Sequence, residues 1–191
     1  MNKNRMEAFS DGVIAIIITI MVLELKVPHG SDLASLAPLI PVFLSYLLSF
    51  IYLAIYWNNH HHLMHAVQKI TGGILWANLH LLFWLSLVPF VTGWIGENNF
   101  APLPMALYGV ILIMAAFAYT ILQFRIMSTQ GKDSAMAKAI GKDLKGKASV
   151  VLYLLGILSS FFNSMLAGGF YVAVALMWII PDKRIEKIME K

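Results

Sequence analysis

Long runs of apolar residues, separated by short polar segments, occupy most of this chain of 191 residues. A helix needs about 20 consecutive apolar residues to cross the hydrocarbon core of a bilayer. Four runs reach that length and two lie near its lower limit. They cover residues 6–27, 36–57, 73–95, 103–126, 148–162 and 165–180. The pattern predicts an all-α integral membrane protein with six transmembrane helices, in a single domain over residues 1–191.

Prolines and polar residues mark the limits of these runs. Pro28 follows the first run, Pro181 follows the last, and Pro89 interrupts the third. Proline has no backbone N–H and breaks the interior of a helix. Between the fourth and fifth runs, the basic stretch 128–147 is the one loop long enough to hold a short amphipathic helix at the membrane surface.

The placement of positive charge supports six spans rather than five. With a cytoplasmic N-terminus and six crossings, 13 of the 14 Lys and Arg residues fall on the cytoplasmic side, and Lys26 alone falls outside. Cytoplasmic loops of membrane proteins carry such an excess of positive charge. Five crossings would place the basic C-terminal segment outside. The sequence therefore predicts that both termini are cytoplasmic.

Composition excludes several classes of protein. The chain is 59% hydrophobic and 13% charged, whereas soluble domains are about 45–50% apolar and about 25% charged. Because there is no cysteine, disulfides and thiolate chemistry are excluded. No basic stripe lies outside the membrane-flanking loops, so the expected partner is the lipid bilayer and not a nucleic acid. No nucleophile and base converge in the sequence, so we expect no enzyme.

A carboxylate inside the first apolar run is the strongest candidate for a functional group. Asp11 lies about one and a half turns into the predicted helix, where a charge is costly unless it is paired or hydrated. The candidate partners lie at the same membrane edge; they are Arg5, Ser10, His60, His61, Trp76, Asn78 and His80. Two interpretations stay open, a polar network that stabilises the fold and a direct ion-binding role.

Further along the same helix, Ile16, Thr19, Leu23 and Val27 recur at helical spacing. Such a stripe is more often a packing seam between helices than a pore lining, and Gly12, Ala15 and Thr19 could equally form a small-residue interface between helices. Thr19 brings a hydroxyl to the middle of the membrane.

Histidines form a second polar cluster, with His60, His61, His62 and His65 in one run. His61 and His65 are four residues apart, a spacing that can chelate a transition metal, and a pair of histidines on two spans could ligate haem. A structural network, interfacial solvation and pH sensing are the competing interpretations. We assign no metal and no cofactor.

The opening of the first helix resembles a known family. Arg5, Phe9, Ser10 and Asp11 match the R-x-x-x-F-S-D signature of the transmembrane protein 175 family, the lysosomal and endosomal potassium channels and their bacterial relatives. The chain has one six-span unit and is similar to a bacterial member, which implies the inner membrane of a bacterial cell.

The resemblance implies a K⁺-selective channel that is a homotetramer, with a central pore lined by the first helix and no Thr-Val-Gly-Tyr-Gly filter. In such a channel Ile16 would form the hydrophobic constriction, and Thr19 and Leu23 the next rings. Signature residues would anchor the helix to polar residues of the second and third spans. The anchoring set would be Arg5, Phe9, Ser10, Asp11, His60, His61, Trp76 and Asn78.

Two carboxylates, Glu24 and Asp32, would lie at the outer mouth and attract cations; the alternative is that Glu24 pairs with Lys26 or simply faces solvent. The permeant ion would be K⁺ and no cofactor is implied. Two other functions remain as alternatives, a proton-coupled secondary transporter that uses Asp11 and the histidines, and a histidine-liganded metal or haem protein of the membrane.

Overall fold

A computed structural model describes residues 2–65, 67–130 and 144–179. Seven α-helices and one 3-10 helix are formed within these residues, and no strand occurs among them. The helices are α1 (Lys3–Leu23), α2 (Ile40–His65, preceded by the 3-10 helix Leu33–Leu39), α3 (Gly72–Ser86), α4 (Val88–Glu97), α5 (Pro102–Gln130), α6 (Leu144–Ser159) and α7 (Ser164–Ile179). The amphipathic helix predicted for the loop 128–147 lies outside the described residues, apart from the ends that belong to α5 and α6.

Four helical units among the described residues are long and apolar enough to cross a membrane. They are α1, the 3-10 helix with α2, α3 with α4, and α5; α7 is a shorter apolar helix. Each predicted span overlaps at least one of the observed helices.

The first helix is fixed at both ends by local chemistry. The side-chain oxygen of Asn2 accepts the backbone N–H of Arg5 at 3.0 Å and caps the N-terminus. The helix ends at Leu23, four residues before the end that the apolar run predicts. Pro28 prevents the helix from extending past Val27, because its ring would clash with the carbonyl of Glu24.

The third span is divided into two helices. α3 ends at Ser86 and α4 begins at Val88, with Leu87 between them and Pro89 in the first turn of α4. The sequence places the break at Pro89 itself. In the structure the break comes two residues earlier, because proline is tolerated in the first turn of a helix, where its missing N–H has no intrahelical partner anyway.

Packing places α1 against three neighbours, α2, α3 and α4, while α5 packs against α3, α4, α6 and α7. Buried hydroxyls join helices across this core. Ser49 Oγ lies 2.7 Å from Thr92 Oγ1 and 3.0 Å from Tyr108 Oη, which links α2, α4 and α5. Hydrogen bonds between transmembrane helices of this kind contribute about 0.6–2 kcal/mol each.

Candidate functional site

α1 has two faces of different character. One face is buried against the neighbouring helices and consists of Met6, Ser10, Ile14, Ile17 and Met21. The opposite face is exposed in the single chain: Ile16 has 59% of its surface exposed and Leu23 has 80%, and Thr19 lies between them. The three residues that the family resemblance assigns to a constriction therefore share the exposed face.

The hydroxyl of Thr19 is held by its own helix. Its Oγ1 lies 3.1 Å from the carbonyl oxygen of Ala15 and 2.9 Å from that of Ile16. The single hydroxyl proton is donated to these two carbonyl oxygens. A hydroxyl oxygen has two lone pairs that stay available as acceptors. The exposed side of Thr19 can therefore offer an oxygen to a cation.

A buried polar chain fastens the other face of α1. Ser10 Oγ donates to the carbonyl of Met6 at 2.9 Å and accepts from Asn78 Nδ2 at 2.9 Å. The Asn78 Oδ1 atom lies 2.8 Å from His60 Nε2. Ser10, Asn78 and His60 are each at most 1% exposed. These hydrogen bonds connect α1, α3 and α2, the three helices that carry the expected anchoring set.

The signature carboxylate Asp11 has a partner outside the set of candidates expected from the sequence. Its Oδ1 accepts from the indole N–H of Trp57 at 3.0 Å. Trp76 was expected in this network, but 75% of its surface is exposed and it makes no hydrogen bond among the described residues. Trp57 precedes His61 by one helical turn, so the spacing along α2 is the signal that could have pointed to it.

The other members of the expected set lie at the edge of this network. The side chains of Arg5 and Phe9 are exposed in the single chain. His61 does not join Ser10 and Asn78. Its Nδ1 lies 3.4 Å from a carboxylate oxygen of Glu7, and its ring stacks on that of Trp57 with centroids 6.1 Å apart.

At the opposite end of α1, Glu24 faces solvent and Lys26 has a different ion-pair partner. Lys26 pairs with Glu97 at 2.6 Å, and Glu24 stays exposed with its carboxylate beside Gly93 of α4. Asp32 caps the 3-10 helix by accepting the backbone N–H of Ser35 at 3.0 Å and its hydroxyl. These hydrogen bonds lower the pKa of Asp32, so its carboxylate stays negative at neutral pH.

Comparison with known proteins identifies the family. Residues 5–89 match the family model described as the endosomal/lysosomal potassium channel TMEM175. A potassium channel of Chryseobacterium is 60% identical over 191 residues, covering 100% of both chains. The endosomal/lysosomal proton channel TMEM175 of Gallus gallus is 39% identical over 83 residues, 37% of this chain and 17% of that protein.

A solved structure is also similar. The crystal structure of a lysosomal potassium-selective channel TMEM175 homolog from Chamaesiphon minutus superimposes with a TM-score of 0.80 and 30% sequence identity, over 94% of this chain and 97% of that one. The apolar helices and these similarities define an integral membrane protein of the ion-channel class, not an enzyme. The chain belongs to the TMEM175 family, which confirms the resemblance seen in its R-x-x-x-F-S-D motif.

Proposed function

We propose that four copies of this chain assemble in the bacterial inner membrane into a K⁺-selective channel whose central pore is lined by α1. The observation that carries the proposal is the exposed face of α1, on which Ile16, Thr19 and Leu23 lie opposite the anchored face. The names of the relatives, potassium channel and potassium-selective channel, support K⁺ as the permeant ion.

The composition of this exposed face favours contact with other copies over contact with lipid. Between its aliphatic residues it carries the small residues Gly12 and Ala15 and the hydroxyl of Thr19, and it begins at Arg5. Small residues allow helix backbones to approach closely, and a charged or hydroxylated side chain is better solvated by a water-filled conduit than by hydrocarbon.

Selectivity then follows from partial dehydration. Four Ile16 side chains would form a hydrophobic constriction, and such constrictions gate by dewetting. K⁺ holds its hydration shell less tightly than Na⁺, so a dry constriction costs K⁺ less. Thr19 hydroxyl oxygens, one from each copy, would replace water ligands beside the constriction, and Leu23 would form a further ring.

Fixed negative charge at the outer mouth would concentrate cations. Glu24 is exposed and not paired with Lys26, which binds Glu97 instead. Asp32 keeps its charge while it caps the 3-10 helix. Repeated around a tetramer, these carboxylates raise the local K⁺ concentration, an effect that falls with ionic strength.

Two contacts support the way the first three spans are threaded in the proposed six-span topology of residues 1–191; the cytoplasmic placement of the termini rests on the positive charges. Lys3 Nζ donates to the carbonyl of His65 at 3.2 Å, and Lys26 pairs with Glu97 at 2.6 Å. The first contact joins two segments assigned to the cytoplasmic side, and the second joins two assigned to the outer side.

The test replaces Ile16 with asparagine in channels reconstituted into liposomes or planar bilayers. We expect Ile16→Asn to shift the reversal potential under opposed K⁺ and Na⁺ gradients towards zero, because a hydrated constriction admits both ions. Ile121→Asn, the same change at an exposed isoleucine of α5, is the matched control and should keep the selectivity of the unmodified channel. Unchanged selectivity in Ile16→Asn would contradict the proposed constriction.

A further inference from the structure

A cluster of metal-ligand residues lies where the N-terminal end of α1 meets the C-terminal end of α2. Glu7, His61 and His65 each offer a ligand atom, and these atoms all lie within 4.8 Å of one another. Among the described residues, this is the one group of three such side chains that meets that distance. The R-x-x-x-F-S-D signature leaves the position of Glu7 unspecified, so the cluster is not part of that motif.

The two histidines are spaced for chelation. They are four residues apart on α2, which places both rings on one face of the helix, and their Nε2 atoms are 3.1 Å apart. Two nitrogens bound tetrahedrally at about 2.0–2.1 Å from a zinc ion would be separated by about 3.3 Å. The observed pair therefore needs a shift of only a few tenths of an ångström.

The carboxylate completes a set of three ligands. A Glu7 oxygen lies 3.4 Å from His61 Nδ1, and one ligand atom from each of the three side chains lies within 4.8 Å of the other two, so the carboxylate is within reach of a metal ion bound by the histidines. Side-chain exposure is 42% for His61 and 22% for Glu7, which leaves an entry path and room for a water as fourth ligand. The His61 ring is further held by stacking on Trp57.

From this geometry we propose that the chain binds one divalent transition-metal ion of the Zn²⁺ class through Glu7, His61 and His65. Imidazole nitrogens suit Zn²⁺, Ni²⁺ and Cu²⁺, whereas Mg²⁺ and Ca²⁺ require oxygen ligands. The negative charge of Asp11, on the next turn of α1 from Glu7, favours a dication; Lys3, whose ammonium donates to the carbonyl of His65, opposes it.

Binding would link two helices. Glu7 belongs to α1 and the histidines to α2, so a bound ion ties the inner end of the proposed pore-lining helix to its neighbour and restrains its movement. Metal binding itself is independent of the proposed function, whereas the effect of the metal on K⁺ flux rests on the proposed function.

Calorimetric titration of the purified full-length chain with Zn²⁺ tests the site, with Mg²⁺ as the non-binding cation and any histidine tag removed. We expect equimolar Zn²⁺ binding that weakens about tenfold or more in Glu7→Gln and in His65→Ala, because even outer-shell partners of a metal contribute 10–100-fold. His65→Cys, which keeps a zinc ligand, should restore binding. His29→Ala, in the exposed loop after α1, is the matched control.

Equal affinity in the unmodified chain and His65→Ala, or no Zn²⁺ binding to the unmodified chain, would overturn the site. K⁺ flux from liposomes gives the second measurement. Zn²⁺ should lower flux in the unmodified channel and in His29→Ala, and affect His65→Ala less. Absence of K⁺ flux even without Zn²⁺ would contradict the proposed function but would not affect the result of the titration. Flux that is unchanged by bound Zn²⁺ would overturn the proposed restraint on α1.

Discussion

At the residue scale, Asn78 has the most demanding position in the candidate site. Its amide serves two helices at once: Nδ2 donates to Ser10 on α1, and Oδ1 faces His60 Nε2 on α2. Because the amide N–H is used by Ser10, the oxygen must accept, and His60 then carries its proton on Nε2. The orientation of the amide is therefore fixed by both neighbours, and the histidine has one tautomer when neutral.

We predict that Asn78→Leu lowers the stability of the folded chain by about 1–3 kcal/mol, because it leaves the buried His60 N–H without an acceptor. The midpoint of thermal unfolding in detergent measures the loss. Asn58→Leu, at a half-buried position of α2, removes an amide of the same kind and should change the midpoint less. A midpoint for Asn78→Leu equal to that of the unmodified chain would mean that the network does not stabilise the fold.

The members of this network could be named from the sequence, but their pairing could not. Ser10, Asn78 and His60 are polar residues at one membrane edge, and burial in an apolar segment makes any such residue a candidate. Which of them touch depends on the rotation of each helix about its axis. That rotation turns Trp57 towards Asp11 and leaves Trp76 exposed, although both are tryptophans near the end of an apolar run.

At the element scale, close helix approach depends on glycine. A Cβ added at Gly109 on α5 or at Gly156 on α6 would overlap the side chain of Tyr171 on α7. The Tyr171 hydroxyl donates to the carbonyl of Met105 at 3.0 Å, and its own carbonyl accepts from Tyr52 at 2.6 Å. One hydrogen bond thus holds the end of the ring and the other holds the backbone that carries it, so the ring cannot move aside easily.

We predict that Gly156→Ala destabilises the chain by about 1–3 kcal/mol, the range for an overpacked core. Gly169→Ala is the matched control on the partner helix, because its added methyl meets nothing within 4 Å. Alanine there should be neutral or stabilise by up to about 1 kcal/mol through its helix propensity. Resistance to unfolding by a denaturing detergent measures both variants, and equal resistance would show that Tyr171 has room to adjust.

Apolar length predicts the helical elements well, and their ends less well. A helix needs apolar length to cross a bilayer, so the existence of each element follows from composition alone. Ends follow from local backbone chemistry: Asn2 caps the start of α1 and Asp32 caps the 3-10 helix that begins the next span. Contacts such as that of Tyr171 with Gly156 depend on three-dimensional packing, for which one sequence carries no direct signal.

At the scale of the whole molecule, the single chain leaves an apolar surface uncovered along α1. An open groove lies between α1 and the junction of α3 with α4, lined among others by Ile16, Ile20 and Phe90, with Glu24 at its outer end. The proposed tetramer would place the exposed face of α1 around a shared axis. Individual helices could be inferred from the sequence, but the assembly follows from family resemblance and requires its own test.

Because the chain has no cysteine, an introduced cysteine is its sole thiol and can report on a shared pore. We predict that a bulky charged thiol reagent applied from outside blocks K⁺ flux in Leu23→Cys, since a charged adduct would occupy the proposed conduit. Leu158 lies near the outer end of α6 and is 63% exposed. Leu158→Cys is therefore the control, and its modification should have little effect on K⁺ flux.

Mixing modified and unmodified chains then distinguishes a shared conduit from separate ones. If a single modified copy blocks a four-chain pore, equal amounts of Leu23→Cys and unmodified chain leave about one sixteenth of the flux after treatment. Residual flux near one half would instead mean that each chain conducts alone, and α1 would then face lipid or a neighbouring helix rather than a common axis.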